Sequence, residues 1–234
     1  MYRYCLFFVL LLMLLSCDNK PSTEEASTLA TAIPAKPDTA QGPQIWTPER
    51  ERLTRAYSLQ HYGAEQVSIQ PQMIVVHYTA IPTLEQTLAY FTPDTLAQGR
   101  DKIKKHSQLN VSSHYVVARD GKLYQLLPDT VMARHIIGYN HVAIGIENVA
   151  ADSTALSDAQ LATNVQLIRH LSSRYPDIRF LIGHQEYDEQ GAAHTLLYKA
   201  MDTTYHPYPK PDPGKTFMQA IRDSLAHHGI RLKS

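Results

Sequence analysis

Short apolar runs separated by turn-forming residues predict the strands of this chain. We predict buried strands for three runs rich in β-branched residues, QMIVVHYTA, HVAIGIENVA and RFLIGHQ. Between the first two, apolar and polar residues alternate on both sides of Asp120-Gly121, and this dipeptide strongly favours a tight turn. The pattern therefore predicts a β-hairpin and three further strands that belong to one sheet.

Helical periodicity appears in the segments between these strands. Thr47 followed by Pro48 is a typical helix start, and Ser157 with Gln160 forms the sequence of a capping box. We predict helices for four segments, TPERERLTRAYSLQHYG, TLEQTLAYF, SDAQLATNVQLIRHLSSRYP and DPGKTFMQAIRDSLAHHG. Strands interspersed with helices, together with one hairpin, predict a single α/β domain with a central mixed β-sheet flanked by helices.

The N-terminal stretch has the features of a targeting segment. Arg3 precedes an apolar run from Cys5 to Leu15, which has the length of a signal-peptide core. The run ends in LLSC, which resembles the bacterial lipoprotein box. We therefore expect residues 1–16 to be a signal peptide and Cys17 to carry lipid that anchors the protein in the bacterial cell envelope, at the outer membrane. An ordinary signal peptide or an uncleaved anchor is the alternative.

A polar segment follows the predicted lipidation site. It is rich in proline, serine, threonine and alanine and contains no aromatic residue up to Trp46. Such a composition cannot bury enough apolar surface to fold. We therefore predict a flexible tether over residues 17–45 and a folded domain over residues 46–234.

Composition excludes several kinds of function. Lysine plus arginine and aspartate plus glutamate both number 22 in the 234 residues, so no charge excess indicates a nucleic-acid partner. Both cysteines, Cys5 and Cys17, lie in the N-terminal stretch. Thiol catalysis, cysteine zinc clusters and internal disulfides are thus excluded from the domain. The 12 histidines are the more informative residues.

Two of these histidines end predicted buried strands. His77 lies in the C-terminal half of its strand, and His184 closes the strand FLIGH. Either residue alone would be interpreted as a hydrogen-bonded core histidine. Together, at the strand ends where the sites of α/β proteins gather, they favour a metal site such as zinc, which takes three protein ligands in catalytic centres.

The third ligand has several candidates. Asp212 in PKPDPG is one, although an aspartate at this position could equally be a helix N-cap. His194 and His206 have the right chemistry but lie in a predicted loop. His114 lies on a strand, where a core or supporting role is expected.

A carboxylate also lies in a predicted buried strand. Glu147 shares one strand face with Ala143 and Gly145, because side chains alternate along a strand. The small residues would leave room beside the carboxylate for a metal, a water and a substrate backbone. The alternative is that Gly145 only allows a helix to pack closely.

These motifs together resemble a known enzyme family. IVVHYTA, SSHYVVARDGKLYQLLPD, NHVAIGIENV, IGH and KPDPG occur in the order seen in the zinc-dependent N-acetylmuramoyl-L-alanine amidases of the amidase-2 family. That family shares its fold with peptidoglycan recognition proteins and phage lysozyme-type amidases. The resemblance spans roughly Met73 to Phe217 and implies an amidase-2/PGRP-like fold.

The resemblance implies a role for each residue of the site. It makes His77, His184 and Asp212 the ligands of one zinc ion and Glu147 the catalytic acid and base. It also places Lys210 beside the negative charge that develops on the substrate carbonyl oxygen.

Two further positions follow from the same resemblance. His135 matches a histidine that lines the substrate groove, and Asn140 lies in the turn before the glutamate strand, so we expect both to contact substrate. Arg134 stands where many relatives have tryptophan. The segment 185–209 is longer than in compact relatives, and we expect it to form a lid or groove wall.

The implied activity is hydrolysis of the amide bond between N-acetylmuramic acid and L-alanine. The expected partners are peptidoglycan or muropeptides and, through the lipid anchor, a membrane, with no nucleic acid. We expect the protein to be a monomer. The alternative function is a non-catalytic peptidoglycan-binding module, although such modules typically lack a zinc ligand or the catalytic residue.

Overall fold

A computed structural model of the chain describes residue 1 and residues 33–234. The predicted signal peptide, Cys17 and the first part of the predicted tether lie outside the residues that it describes. Within the described part of the chain, no helix is both long and apolar enough to span a membrane.

The domain from Ile33 to Ser234 contains six strands and five α-helices among the described residues. In chain order, they are β1 (Thr39–Gln41), α1 (Pro48–Tyr62), β2 (Met73–Tyr78), α2 (Leu84–Phe91), α3 (Asp101–Lys104), β3 (Tyr115–Val117), β4 (Leu123–Gln125), β5 (Ala143–Asn148), α4 (Asp158–Arg174), β6 (Phe180–Gly183) and α5 (Lys215–His227). Three short 3₁₀ helices cover Ser153–Ala155, His184–Glu186 and Ala193–Leu197.

The strands form one mixed sheet in the order β1-β4-β3-β5-β2-β6. β3, β5, β2 and β6 run parallel to one another, and β4 pairs antiparallel with β3 as the predicted hairpin. Because the parallel strands end at one edge, side chains at their carboxyl ends are brought together there. The α/β class, the mixed sheet and the flanking helices predicted from the sequence are confirmed.

Local signals in the sequence explain several element boundaries. Thr47 caps α1 by accepting a hydrogen bond from the backbone N–H of Arg50. The capping box predicted from Ser157 and Gln160 begins α4, and Gly63 ends α1 in the left-handed region at φ 74°. These caps satisfy backbone groups that the helix ends would otherwise leave without partners.

The two faces of the sheet bury different partners. Alternate residues of β2, such as Ile74 and Val76, pack against a layer formed by α4 and α5. The opposite face, which includes Val75, packs against α1 and the loops that follow the strands. The carboxyl ends of β2, β5 and β6 border a cleft on this side.

Part of the segment predicted as a tether pairs with the sheet. Thr39–Gln41 pairs in parallel with β4 as an edge strand, although this segment was predicted to be flexible to residue 45. Lys36 Nζ donates to Gln125 Oε1 at 2.8 Å, and a ring nitrogen of His170 lies 2.8 Å from the carbonyl oxygen of Pro34. Main-chain pairing and these contacts hold the segment without an apolar pattern of its own.

Candidate active site

The predicted zinc ligands converge at the carboxyl edge of the sheet. His77 lies near the end of β2, His184 follows β6 directly, and Asp212 is in the loop before α5. The Nδ1 atoms of the two histidines are 3.0 Å apart, and each is 3.1 Å from Asp212 Oδ2. All three residues are buried.

This triangle fits a metal ion by its size and chemistry. Ligand atoms about 2.0–2.1 Å from a tetrahedral zinc lie roughly 3.3 Å from one another, close to the separations here. Two imidazole nitrogens and a carboxylate oxygen are a donor set typical of catalytic zinc. Among the described residues, these three form the cluster of acidic and histidine side chains that could hold a metal.

The protonation of the cluster suits cation binding. Burial, followed by the proximity of His77, lowers the pKa of His184 to about 4, so its imidazole is neutral at pH 7. Burial acts to raise the pKa of Asp212, but the contacts of its carboxylate with His184 and His77 outweigh it and hold that pKa well below its ordinary value. The site therefore offers one carboxylate beside the neutral imidazole of His184.

The alternatives for the third ligand are placed elsewhere. Gly214, not Asp212, is the N-cap of α5, so Asp212 does not have the capping role. His194 is buried against the ring of Tyr139, and His206 is exposed. His114 is hydrogen-bonded to the sheet, because its Nδ1 accepts the backbone N–H of Gly145 at 3.0 Å.

Glu147 lies beside the cluster on the neighbouring strand. It pairs in register with His77 across β2 and β5. Its Oε2 atom is buried and has no hydrogen-bond partner among the described residues. Burial raises the pKa of Glu147 to about 7, although the nearby His77 acts to lower it. A carboxyl with this pKa can both accept and return a proton near neutral pH.

The small side chains on the strand face of Glu147 have a different purpose from the predicted one. A Cβ atom on Gly145 would lie 2.8 Å from ring atoms of His135. Gly145 therefore makes room for the imidazole of His135, and not directly for substrate or for a helix. Ala143 is buried in the hydrophobic core.

Lys210 borders the same cleft as Glu147. Its Nζ donates to the hydroxyl of Tyr208 at 2.9 Å and lies 4.3 Å from the centroid of that ring. It also acts to lower the pKa of Glu147, which places its charge within electrostatic reach of the carboxylate. The structure thus brings the predicted cation to the predicted site.

Asn140 is occupied by protein partners. Its Oδ1 accepts the backbone N–H groups of His135 and Ile136 at 2.9 and 2.8 Å, and its Nδ2 donates to the hydroxyl of Tyr57 at 2.9 Å. The side chain is buried and holds the loop that carries His135. Substrate contact by Asn140 stays a prediction, while the contacts give it a structural role.

The long segment 185–209 contributes to the cleft wall through Tyr205 and Tyr208. Arg134 is buried behind this wall. Its guanidinium donates to the carbonyl oxygens of Ile103 at 2.8 Å and Leu109 at 2.5 Å. The arginine therefore ties its own segment to residues 103–109, about thirty positions earlier in the chain.

Two cleft residues had no role in the sequence predictions. Tyr90 on α2 has a buried hydroxyl with no partner among the described residues, and the Arg100 guanidinium lies 5.6 Å from the centroid of its ring. The apolar pattern identified α2 as a helix, but only the packing of the chain shows that Tyr90 faces the cleft. Arg100 lies in a segment without any periodic pattern.

Comparison with known proteins places these observations in a family. Residues 67–213 match the Amidase_2 family, described as N-acetylmuramoyl-L-alanine amidase. The 1,6-anhydro-N-acetylmuramyl-L-alanine amidase AmpD of Escherichia coli (strain K12) is 31% identical over 137 residues, covering 53% of this chain and 75% of the relative. AmpD of Citrobacter freundii is 29% identical over 147 residues, covering 57% of this chain and 75% of the relative.

The fold has a counterpart among solved structures. The endolysin N-acetylmuramoyl-L-alanine amidase LysCS from Clostridium intestinale URNW superposes with a TM-score of 0.51 at 19% identity, covering 82% of this chain and 97% of that chain. At this identity the similarity establishes the fold. The family match covers more than half of the chain and includes every residue of the candidate site. The chain belongs to the amidase-2 family of N-acetylmuramoyl-L-alanine amidases.

Proposed function

We propose that this protein is a zinc-dependent hydrolase that cleaves the amide bond between N-acetylmuramic acid and L-alanine in peptidoglycan or muropeptides. The observation that carries the proposal is one cleft that contains two histidines and an aspartate in ligand geometry beside Glu147, whose buried Oε2 has no hydrogen-bond partner in the described part of the chain. Zinc held by His77, His184 and Asp212 would polarise the substrate carbonyl and lower the pKa of a water molecule.

The chain's own residues divide the remaining chemistry. Glu147 accepts a proton from the attacking water and returns it to the nitrogen of the departing L-alanine. Its pKa of about 7 suits both transfers, because neither protonation state is strongly favoured near neutral pH. Lys210 places positive charge at the cleft, where it stabilises the oxyanion that forms from the substrate carbonyl.

The competing function is a non-catalytic peptidoglycan-binding module. Binding alone would not require a carboxylate with a buried oxygen that lacks a hydrogen-bond partner among the described residues, because such an atom destabilises the fold. The presence of Glu147 and Lys210 beside a complete ligand set favours catalysis.

Glu147→Gln tests the proposal. The purified wild-type protein should contain one zinc and release stem peptide from muropeptides, assayed by mass spectrometry on intact and 1,6-anhydro substrates. Glutamine preserves the shape of the side chain but cannot exchange the proton. The variant should keep zinc and lose on the order of 10²–10⁴ in turnover. A zinc-loaded wild type that binds muropeptides without cleaving them would establish the binding-module alternative.

We also propose that the protein is anchored in the bacterial envelope through lipid on Cys17, with residues 1–16 removed. The proposal is supported by the LLSC sequence at the end of the apolar run. Intact mass and metabolic lipid labelling should detect acylation of the wild type and none in Cys17→Ser. Lipid on that variant would disprove the assignment.

A further inference from the structure

A chain of hydrogen bonds leads from the ligand cluster into the sheet. The Nε2 atom of His77, on the ring edge facing away from the cluster, lies 3.0 Å from Nδ1 of His135. The Nε2 atom of His135 lies 3.3 Å from the carbonyl oxygen of Ala143 at the start of β5. The chain therefore ends on a backbone group.

The backbone end of the chain determines where the protons lie. A carbonyl oxygen can only accept, so Nε2 of His135 carries a proton and donates it to Ala143. In a neutral imidazole, Nδ1 of His135 is then an acceptor, and His77 donates to it from Nε2. This leaves the lone pair of His77 Nδ1 directed at His184 and Asp212, as metal binding requires.

His135 is held in one position. Its backbone N–H donates to Asn140 Oδ1 at 2.9 Å, and its ring occupies the space that the absent Cβ of Gly145 leaves open. The fixed ring presents its acceptor to His77 without a local rearrangement.

We propose that His135 is a positioning residue that fixes His77 in its metal-binding tautomer. The Ala143 carbonyl holds the proton of His135 on Nε2, and the Nδ1 acceptor of His135 in turn holds the proton of His77 on Nε2. The proposal rests on the zinc site proposed above and assigns His135 a role other than the predicted substrate contact. Ligand histidines are commonly oriented by an acceptor at their second nitrogen, and here a second histidine provides it.

Zinc affinity, measured by competition with a chromophoric chelator, tests this role without relying on activity. His135→Leu fills the space but removes the acceptor, and we expect its zinc affinity to fall about 10–100-fold. His135→Asn places an oxygen near the position of Nδ1 and should recover part of the affinity. His141→Leu is the matched control, because His141 is on the same loop and packs against Tyr62 instead of the cluster.

Nitrogen NMR of the metal-free wild type provides a second readout that requires no variant to fold. Two-bond ¹H–¹⁵N correlations should show His77 protonated at Nε2 and not at Nδ1. The opposite tautomer would overturn the proposal. So would a folded His135→Leu variant that binds zinc like wild type and only raises KM, because that is the behaviour of a substrate contact. A wild type that binds no zinc would instead refute the proposed function itself.

Discussion

The two faces of the sheet show how stability and chemistry are separated in this domain. The face covered by α4 and α5 is closed by aliphatic side chains, including Ile168, Leu171 and Ile221, which are fully buried. The cleft face buries histidines and arginines beside its apolar residues, and one carboxylate oxygen of Glu147 is buried there as well. Because adjacent residues of one strand point to opposite faces, β2 provides core and ligand side chains within six residues.

The cleft face keeps its buried polar groups mostly paired. His114 donates to the Val131 carbonyl at 2.8 Å, and the Arg134 guanidinium donates to carbonyl oxygens of the cleft wall. Glu147 is an exception, because its buried Oε2 atom has no hydrogen-bond partner within residues 33–234. Unpaired buried groups destabilise a fold, so the unpaired oxygen of Glu147 indicates that some stability is given up for chemistry at this position.

The largest expected effect is the loss of zinc and activity when one metal ligand is removed from the cleft face. We expect His184→Ala to lose most of its zinc and nearly all activity, because two remaining ligands hold zinc weakly. Metal analysis by mass spectrometry after gel filtration measures the loss. His206→Ala is the control, since His206 is an exposed histidine and should retain zinc. Stoichiometric zinc in His184→Ala would remove His184 from the ligand set.

A cavity on the opposite face should affect the fold and leave the site unchanged. Leu171→Ala removes a fully buried side chain between α4 and the sheet, so unfolding in urea should become easier by about 2–5 kcal/mol. Zinc affinity and turnover measured well below the melting temperature should stay at wild-type values. A loss of zinc affinity in folded Leu171→Ala would show that the two faces are not separate.

Lys210→Met should separate transition-state stabilisation from metal binding. We expect turnover to fall on the order of 10²-fold, which is the usual effect of losing one oxyanion-stabilising group, while zinc content stays unchanged. Lys199→Met is the matched control, because Lys199 is exposed in the same long segment. Wild-type turnover in Lys210→Met would exclude Lys210 from the mechanism.

The smallest expected effect is a pH dependence of stability caused by Glu147. Its pKa is raised from 4.5 to about 7 in the folded protein, so the folded state binds more protons between these values. Stability should therefore fall as pH rises through this range, by an amount on the order of 1–3 kcal/mol. Glu147→Gln should flatten the profile in urea unfolding of metal-free protein. An unchanged profile would show that Glu147 is not the titrating group.

Sequence patterns predicted the elements that have local signals. The capping box at Ser157, the Asp120-Gly121 turn and the β-branched strands each depend on residues close in sequence, and the structure contains all of them. β1 was missed, because a three-residue edge strand is defined by pairing with distant β4 and not by its own composition. α3 is four residues long and too short for helical periodicity.

The sequence predicted which residues form the site better than it predicted the role of each residue. His77, His184 and Asp212 meet as the family resemblance implied: the two histidines lie where parallel strand ends converge, and the loop before α5 brings Asp212 to them. The relation between His135 and Gly145 could not be read from the sequence, because it depends on where a loop folds back onto β5. Side chains that fill space on the same face of a sheet become visible only in three dimensions.

The central claim is that the cleft face holds one zinc on ligands from the carboxyl edge of the sheet. Crystals of the zinc-loaded protein, measured above and below the zinc absorption edge, test it most directly. We expect one anomalous peak about 2.0–2.2 Å from His77 Nδ1, His184 Nδ1 and an Asp212 oxygen, with Glu147 nearby but not bound. A peak liganded by Glu147 or His135, or no peak in the cleft, would contradict the account.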